Sequence, residues 1–262
     1  MDDDVKEIYE KTAFDYEDFV IPCKICQYNM LLGSLDLDGD EKAVDIGCGP
    51  GELTCMLAEK VDDGEVLGID LSPNMIEIAS KKAQERGLDN VDFIAQDYLD
   101  IEYEDRFDVC VSSYLFHWLS EPESFIRWVK QVLKTDGKLA LISPSSGWYK
   151  EIQEAHSSVM KHYGFESEEL VGKEVYPQSE IEGYLEKEGF EIKMFNEFCF
   201  REKINIESCL KRVDAKSDRN YFRGIPEDVK KEAIKMFFKE LKDNVEGLMT
   251  TESGYMVLAV NR

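Results

Sequence analysis

The chain has 262 residues and carries 55 acidic against 31 basic side chains, a formal charge of −24 with histidine neutral. A field of that sign repels phosphate backbones and argues against DNA or RNA as a partner, while a 43% hydrophobic content excludes an acidic disordered protein. No apolar run nears the ~20 residues that a bilayer-spanning helix needs, and the start Met1-Asp2-Asp3-Asp4 is the reverse of a cationic signal peptide. The expectation is a soluble cytoplasmic protein, monomer or homodimer, with one domain over 1–262 and no membrane contact.

Residues 1–40 read as a partly apolar helical cap. Between 41 and 143 short apolar strands alternate with amphipathic helices. Lys-Ala-Val-Asp-Ile-Gly at 42–47 predicts a buried strand ending in glycine, after which Leu53, Met56 and Leu57 recur at helical spacing. A second strand is predicted at 65–70. Ser72-Pro73 is a helix start, a side-chain cap followed by a residue with no N–H to leave unpaired. Met75, Ile76, Ala79 and Ala83 then share one face as far as a stop at Gly87. Strands follow at 91–97 and 107–113, then a helix carrying Phe125, Ile126, Val129, Val132 and Leu133, an Asp136-Gly137 turn and a strand at 138–143. This alternation calls for a doubly wound, mostly parallel α/β sheet whose ligand lies at the carboxyl ends of the strands. Helical elements expected on the substrate side, over 144–188 and 201–245, come next, with helices at 148–163, 178–188 and, opened by Pro226, 227–242. Strands at 191–200 and 255–260 are predicted to close the sheet as an antiparallel hairpin.

The informative segment is Asp45-Ile46-Gly47-Cys48-Gly49-Pro50-Gly51, where the first strand turns into the first helix. Glycines at alternate positions let backbone approach a ligand closely. The spacing is G-x-G-x-G rather than the dinucleotide G-x-G-x-x-G, and Asp45 stands where a pyrophosphate would be repelled. Two more acids, Asp70 and Asp97, end the second and third strands. A ligand suited to this array has a cationic or ammonium end near the first strand, a ribose diol near the second and an adenine amine near the third. S-adenosylmethionine has all three. Each aspartate taken singly is also an ordinary cap or turn residue.

Val-Asp-Ile-Gly-Cys-Gly-Pro-Gly, Gly-Ile-Asp70-Leu-Ser-Pro-Asn-Met, Gln96-Asp97 and Phe-Asp-Val-Cys-Val-Ser-Ser resemble the successive motifs of class I S-adenosylmethionine-dependent methyltransferases over 41–143. The resemblance implies a seven-stranded sheet of order 3-2-1-4-5-7-6 with strand seven antiparallel. It also implies that Gly47, Gly49 and Gly51 line the methionine part, that Asp70 holds the ribose, and that Asp97 and Tyr98 border the adenine. Leu71 and Met75 are expected to pack on the adenosine, Ser112 to join the cofactor side, and Tyr9 or Tyr16 of the cap to close over the cofactor.

The stretch Ser113-Tyr114-Leu115-Phe116-His117-Trp118 follows the fourth strand, and its His-Trp pair is similar to small-molecule carboxylate methyltransferases acting on trans-aconitate, juvenile hormone acid or malonyl-carrier protein. Tyr114, His117 and Trp118, with Trp148 from the later insertion, are the expected acceptor contacts. His117 is the candidate base, or else an anchor of its loop. No Asn-Pro-Pro-Tyr or Asp-Pro-Pro-Tyr follows the fourth strand, against a nucleic-acid amine as acceptor. Oxygen methylation of a carboxylate leads; a small amine and a non-catalytic cofactor-binding role are the alternatives. Lys211, Arg212, Lys216, Arg219 and Arg223 form the most basic stretch, either a carboxylate site or a solvated loop. The seven cysteines are expected as reduced thiols without a metal. Cys23, Cys26, Cys199 and Cys209 remain candidates for a thiophilic acceptor only if they converge.

Overall fold

The computed structural model describes residues 24–147, 150–165, 175–202, 225–244 and 249–262. Along the first half run α1 (Ile25–Ser34), β1 (Lys42–Ile46), α2 (Glu52–Ala58), β2 (Glu65–Asp70), α3 (Pro73–Arg86), β3 (Val91–Ala95), β4 (Phe107–Ser113), α4 (Pro122–Val132) and β5 (Leu133–Pro144). Then come α5 (Lys150–His162), α6 (Gln178–Lys187), β6 (Phe190–Glu202), α7 (Glu227–Asn244) and β7 (Met249–Asn261). The strands form one sheet in the order β3-β2-β1-β4-β5-β7-β6. β7 is antiparallel to both neighbours and the remaining pairings are parallel. This is the topology that the resemblance to class I methyltransferases implies. No helix among the described residues is long and apolar enough to cross a membrane.

Side-chain alternation along the central strands feeds two cores on opposite faces. Val44, Cys110, Leu139 and Leu141 pack with Phe125, Ile126, Val129 and Val132 of α4 and Ile181 and Leu185 of α6. Their neighbours Ala43, Val109, Val111 and Ala140 pack with Leu31 and Leu32 of α1 and Leu53 and Leu57 of α2. A third core lies between α5 and α7, where Ile152, Val159, Ala233, Phe237 and Leu241 bury one another. The α5–α7 pair reaches the sheet chiefly at β7.

The ends of α3 follow from its sequence. Ser72 Oγ accepts from the Met75 N–H at 3.1 Å, Pro73 opens the helix, and Gly87 closes it in a left-handed conformation. Such a cap contributes about 1 kcal/mol. The expected Asp136-Gly137 turn lies inside β5: the partner of β4 jumps from Leu133 to Lys138, and the intervening residues bulge with Asp136 at φ 63°. Carbonyls that lose ladder partners in this way need other donors. The Asn261 amide supplies them, donating at 3.0 Å to the carbonyls of both Leu133 and Lys134.

Candidate active site

The carboxyl ends of β1, β2, β3 and β4 surround an open cleft of about 450 Å³ lined by Gly47, Asp70, Leu71, Gln96, Asp97, Tyr98, Leu99, Leu115 and Leu119, with Ile46 and Ile69 at its base. Its position is set by the sheet, since the chain leaves β1 and β4 in opposite directions at a topological switch point. Gly47, Gly49 and Gly51 all have positive φ, at 71°, 53° and 76°. Gly47 faces Leu115, whose side chain lies 3.2 Å from where a Cβ would stand, whereas a Cβ on Gly49 would meet nothing within 4 Å. The loop therefore closes tightly against β4 and leaves room above its middle.

Asp70 fastens this loop. Its Oδ2 accepts from the Gly49 N–H and its Oδ1 from the Ser72 N–H, each at 2.9 Å. One carboxylate thus joins the glycine turn to the start of α3. Asp97 caps the short 3-10 turn Tyr98–Asp100 by accepting from the Leu99 N–H at 3.1 Å. Tyr98 packs edge-on against Phe125 and Trp128, with ring centroids 5.6 and 5.3 Å away. Burial, with Asp97 and Glu121 nearby, pushes its phenol pKa upward, so it stays neutral. Leu99 beside it lies on the cleft lining and is 53% exposed.

Asp45 lies under the loop and not in the cleft. It is 1% exposed, and Thr54 Oγ1 of α2 donates to its Oδ2 at 2.7 Å. Its Oδ1 has no hydrogen-bond partner among the described residues, and neither has the buried hydroxyl of Ser113. Since Asp45 pairs with Val111 across β1 and β4, Asp45 and Ser113 sit on the same face of adjoining strand ends. Burial raises the Asp45 pKa from an ordinary 3.8 to about 7, against the lowering effect of the Thr54 bond and with a further rise from Asp70. The folded state thus holds this proton more tightly than the unfolded chain does. Its contribution to stability is complete below the unfolded value and is lost as pH climbs toward 7. Asp45→Asn should remove this slope: between pH 5 and 8 the melting temperature of the wild type should fall relative to that of the variant.

Several expected contacts are placed elsewhere. Met75 is 1% exposed and does not line the cleft, because helical spacing turns it inward with Ala79 and Ala83. The Ser112 hydroxyl donates to the Ile46 carbonyl at 2.8 Å and clamps β4 to β1. Tyr114 is buried with its phenol donating to Gln27 Oε1 of α1 at 2.8 Å. His117 and Trp118 belong to the 3-10 turn Phe116–Trp118, where His117 is 1% exposed and its ring stacks obliquely on Trp118 at 5.0 Å. The cleft wall on this side is made instead by Leu115 and Leu119. Tyr176 holds Leu119, its phenol donating to the Leu119 carbonyl at 2.8 Å. Leu99, Leu115 and Leu119 were not singled out as contacts; the one signal for Leu99 was its place after the acid–aromatic pair Asp97-Tyr98. Tyr9, Tyr16, Trp148, Cys23, Cys209 and the basic stretch 211–223 lie outside the described residues. Cys26 and Cys199 are exposed, and no metal-binding cluster occurs among the described residues.

Comparison with known proteins agrees with this geometry. A family model described as a methyltransferase domain matches residues 37–191. A malonyl-[acyl-carrier protein] O-methyltransferase of Acetivibrio thermocellus is 27% identical over 229 residues, which cover 82% of this chain and 79% of that protein. Aklanonic acid methyltransferase of a Streptomyces species is 38% identical over 106 residues, 40% of this chain and 48% of the relative. Among solved structures, YcgJ of Bacillus subtilis superposes with a TM-score of 0.65 at 19% identity, covering 90% of this chain and 98% of YcgJ. Geranyl diphosphate C-methyltransferase of Streptomyces coelicolor, solved with S-adenosyl-L-homocysteine, gives 0.57 at 15% identity over 93% and 82% of the two chains. The chain belongs to the methyltransferase-domain family and is an S-adenosylmethionine-dependent methyltransferase of class I fold. The cleft fits that cofactor: there is room above Gly49, a buried carboxylate lies beneath the loop, and further carboxylates stand at two strand ends.

Proposed function

We propose that the enzyme methylates a carboxylate oxygen of a small organic acid. The observation that carries this reading is the cleft wall beneath β4, where Leu115 and Leu119 face the cavity and His117 between them is buried. An amine, a phenol or an alcohol must lose a proton to attack, and these leucines have no base to offer. A carboxylate arrives already ionised. The names of two relatives point the same way, one acting on a malonyl group and the other on aklanonic acid. His117 then serves as the anchor of its turn.

When bound, S-adenosylmethionine supplies a methyl group already activated for transfer. The chain's part is to hold, orient and dry the reactants, which can lower the barrier by roughly 7 kcal/mol or more. Asp70 takes the ribose hydroxyls: a carboxylate accepts about four hydrogen bonds, so its bonds from Gly49 and Ser72 are compatible with this task. Asp97 and Tyr98 border the adenine, and Leu71 and Leu99 cover its faces. Asp45, buried directly beneath Gly47 and Gly49, acts on the cationic amino-acid end through the loop by charge. A cation there favours the ionised form of Asp45, so binding below pH 7 should release a proton.

The test is incubation with methyl-labelled cofactor and a panel of small mono- and dicarboxylic acids and their thioesters, followed by alkaline treatment. A methyl ester yields volatile labelled methanol on saponification. Label that stays non-volatile on a nitrogen product overturns the carboxylate reading in favour of a small amine. Cofactor binding without transfer to any acceptor, including a cell extract, would make the chain a binding protein.

A further inference from the structure

At the end of β4 the backbone of Tyr114 adopts φ 58°. Glycine and asparagine take this left-handed conformation easily, while a bulky residue must be held in it. Residues kept in such conformations cluster at working sites. Contacts to β5 and to the start of α1 hold this one. Its N–H donates to the Ile142 carbonyl at 2.8 Å, its phenol donates to Gln27 Oε1 at 2.8 Å, and the Lys24 ammonium lies 2.8 Å from its ring centroid. Lys24 and Gln27 are each 1% exposed; Lys24 is the N-cap residue of α1 and Gln27 lies in its first turn.

Burying a tyrosine needs no left-handed backbone, but the next residue shows what the conformation achieves. Leu115 is directed onto Gly47, 3.2 Å from the position of a Cβ there, and into the cleft. The chain then passes through the turn Phe116–Trp118 to bring Leu119 to the same wall. We propose that Tyr114 is a positioning residue for methyl transfer: by locking this turn against α1 it fixes Leu115 on the glycine loop and Leu119 along the cleft, and so sets the grip on the cofactor. The inference rests on reading the cleft as the cofactor site. It makes α1, which lines none of the cleft, a determinant of affinity.

The experiment is calorimetric titration of S-adenosylhomocysteine into wild type, Tyr114→Phe, Gln27→Leu, the double variant and Tyr114→Gly, with melting temperatures recorded for each. Titrations are run well below those temperatures, where a purely stabilising role leaves affinity unmoved. Tyr114→Phe and Gln27→Leu should each weaken binding about fivefold, as expected for one lost hydrogen bond, and the double variant should be no weaker than either single one. Tyr114→Gly, which takes the left-handed backbone without strain, should lose at least as much because the latch to α1 is gone. Wild-type affinity in Tyr114→Phe and Gln27→Leu, or losses that multiply in the double variant, overturns the proposal. A wild type that binds no S-adenosylhomocysteine overturns the cofactor reading itself, and the proposal with it.

Discussion

Replacing Asp70 by alanine should lower the affinity for S-adenosylmethionine at least 30-fold, and asparagine should be nearly as damaging. The fold-change corresponds to about 2 kcal/mol, within what charge-assisted hydrogen bonds contribute. Alanine leaves the N–H groups of Gly49 and Ser72 without the acceptors they now share at 2.9 Å. Asparagine keeps the volume but can point its oxygen at only one of them. Its NH₂ must then confront the other donor, so isosteric replacement does not rescue the loop. The lost ribose contacts add to the lost loop geometry. Calorimetric titration of both variants checks this, and an asparagine variant that binds like the wild type would show that charge at Asp70 is dispensable.

Substituting Gly51 by alanine should destabilise the fold by about 3 kcal/mol. A Cβ at this position would lie 2.6 Å from the Cβ of Ala79 and 3.0 Å from its Cα, so the opposing atoms include helix backbone that cannot swing away. Overpacking of this kind costs about 1–3 kcal/mol. The φ of 76° adds the left-handed penalty of roughly 1 kcal/mol that glycine escapes. For a chain of this size the two together correspond to a melting temperature lower by about 6–12 °C. The double variant Gly51→Ala/Ala79→Gly should recover part of the loss by removing the facing methyl group. An unchanged melting temperature in Gly51→Ala would mean that α2 and α3 separate freely, contrary to the close packing seen here.

The sheet was legible because strand and helix periodicities differ and because capping residues mark their own elements. β2 and β4 begin and end where predicted, and the Ser72-Pro73 start of α3 forms with its hydrogen bond. The β5 boundary was less legible, since Leu133 continues the apolar face of α4 in sequence yet pairs with Phe107 in space. At the site, residue type gave location but not side-chain direction. Asp45 and Ser112 sit at the expected strand ends, yet their side chains are engaged by Thr54 and by the Ile46 carbonyl. Those bonds depend on a register between elements far apart in the chain. The conformation of Tyr114 was hidden for a related reason: nothing in its neighbours announces a left-handed residue, and the contacts that impose it come from α1 and β5.

The self-contained core between α5 and α7 has an evolutionary and practical corollary. Because Phe237, Leu241, Ile152 and Val159 satisfy one another, mutations there can drift or be exchanged as a cassette with little disturbance to the strands that carry Asp70 and Asp97. Lineages sharing one nucleoside-binding half can therefore vary this helical pair cheaply.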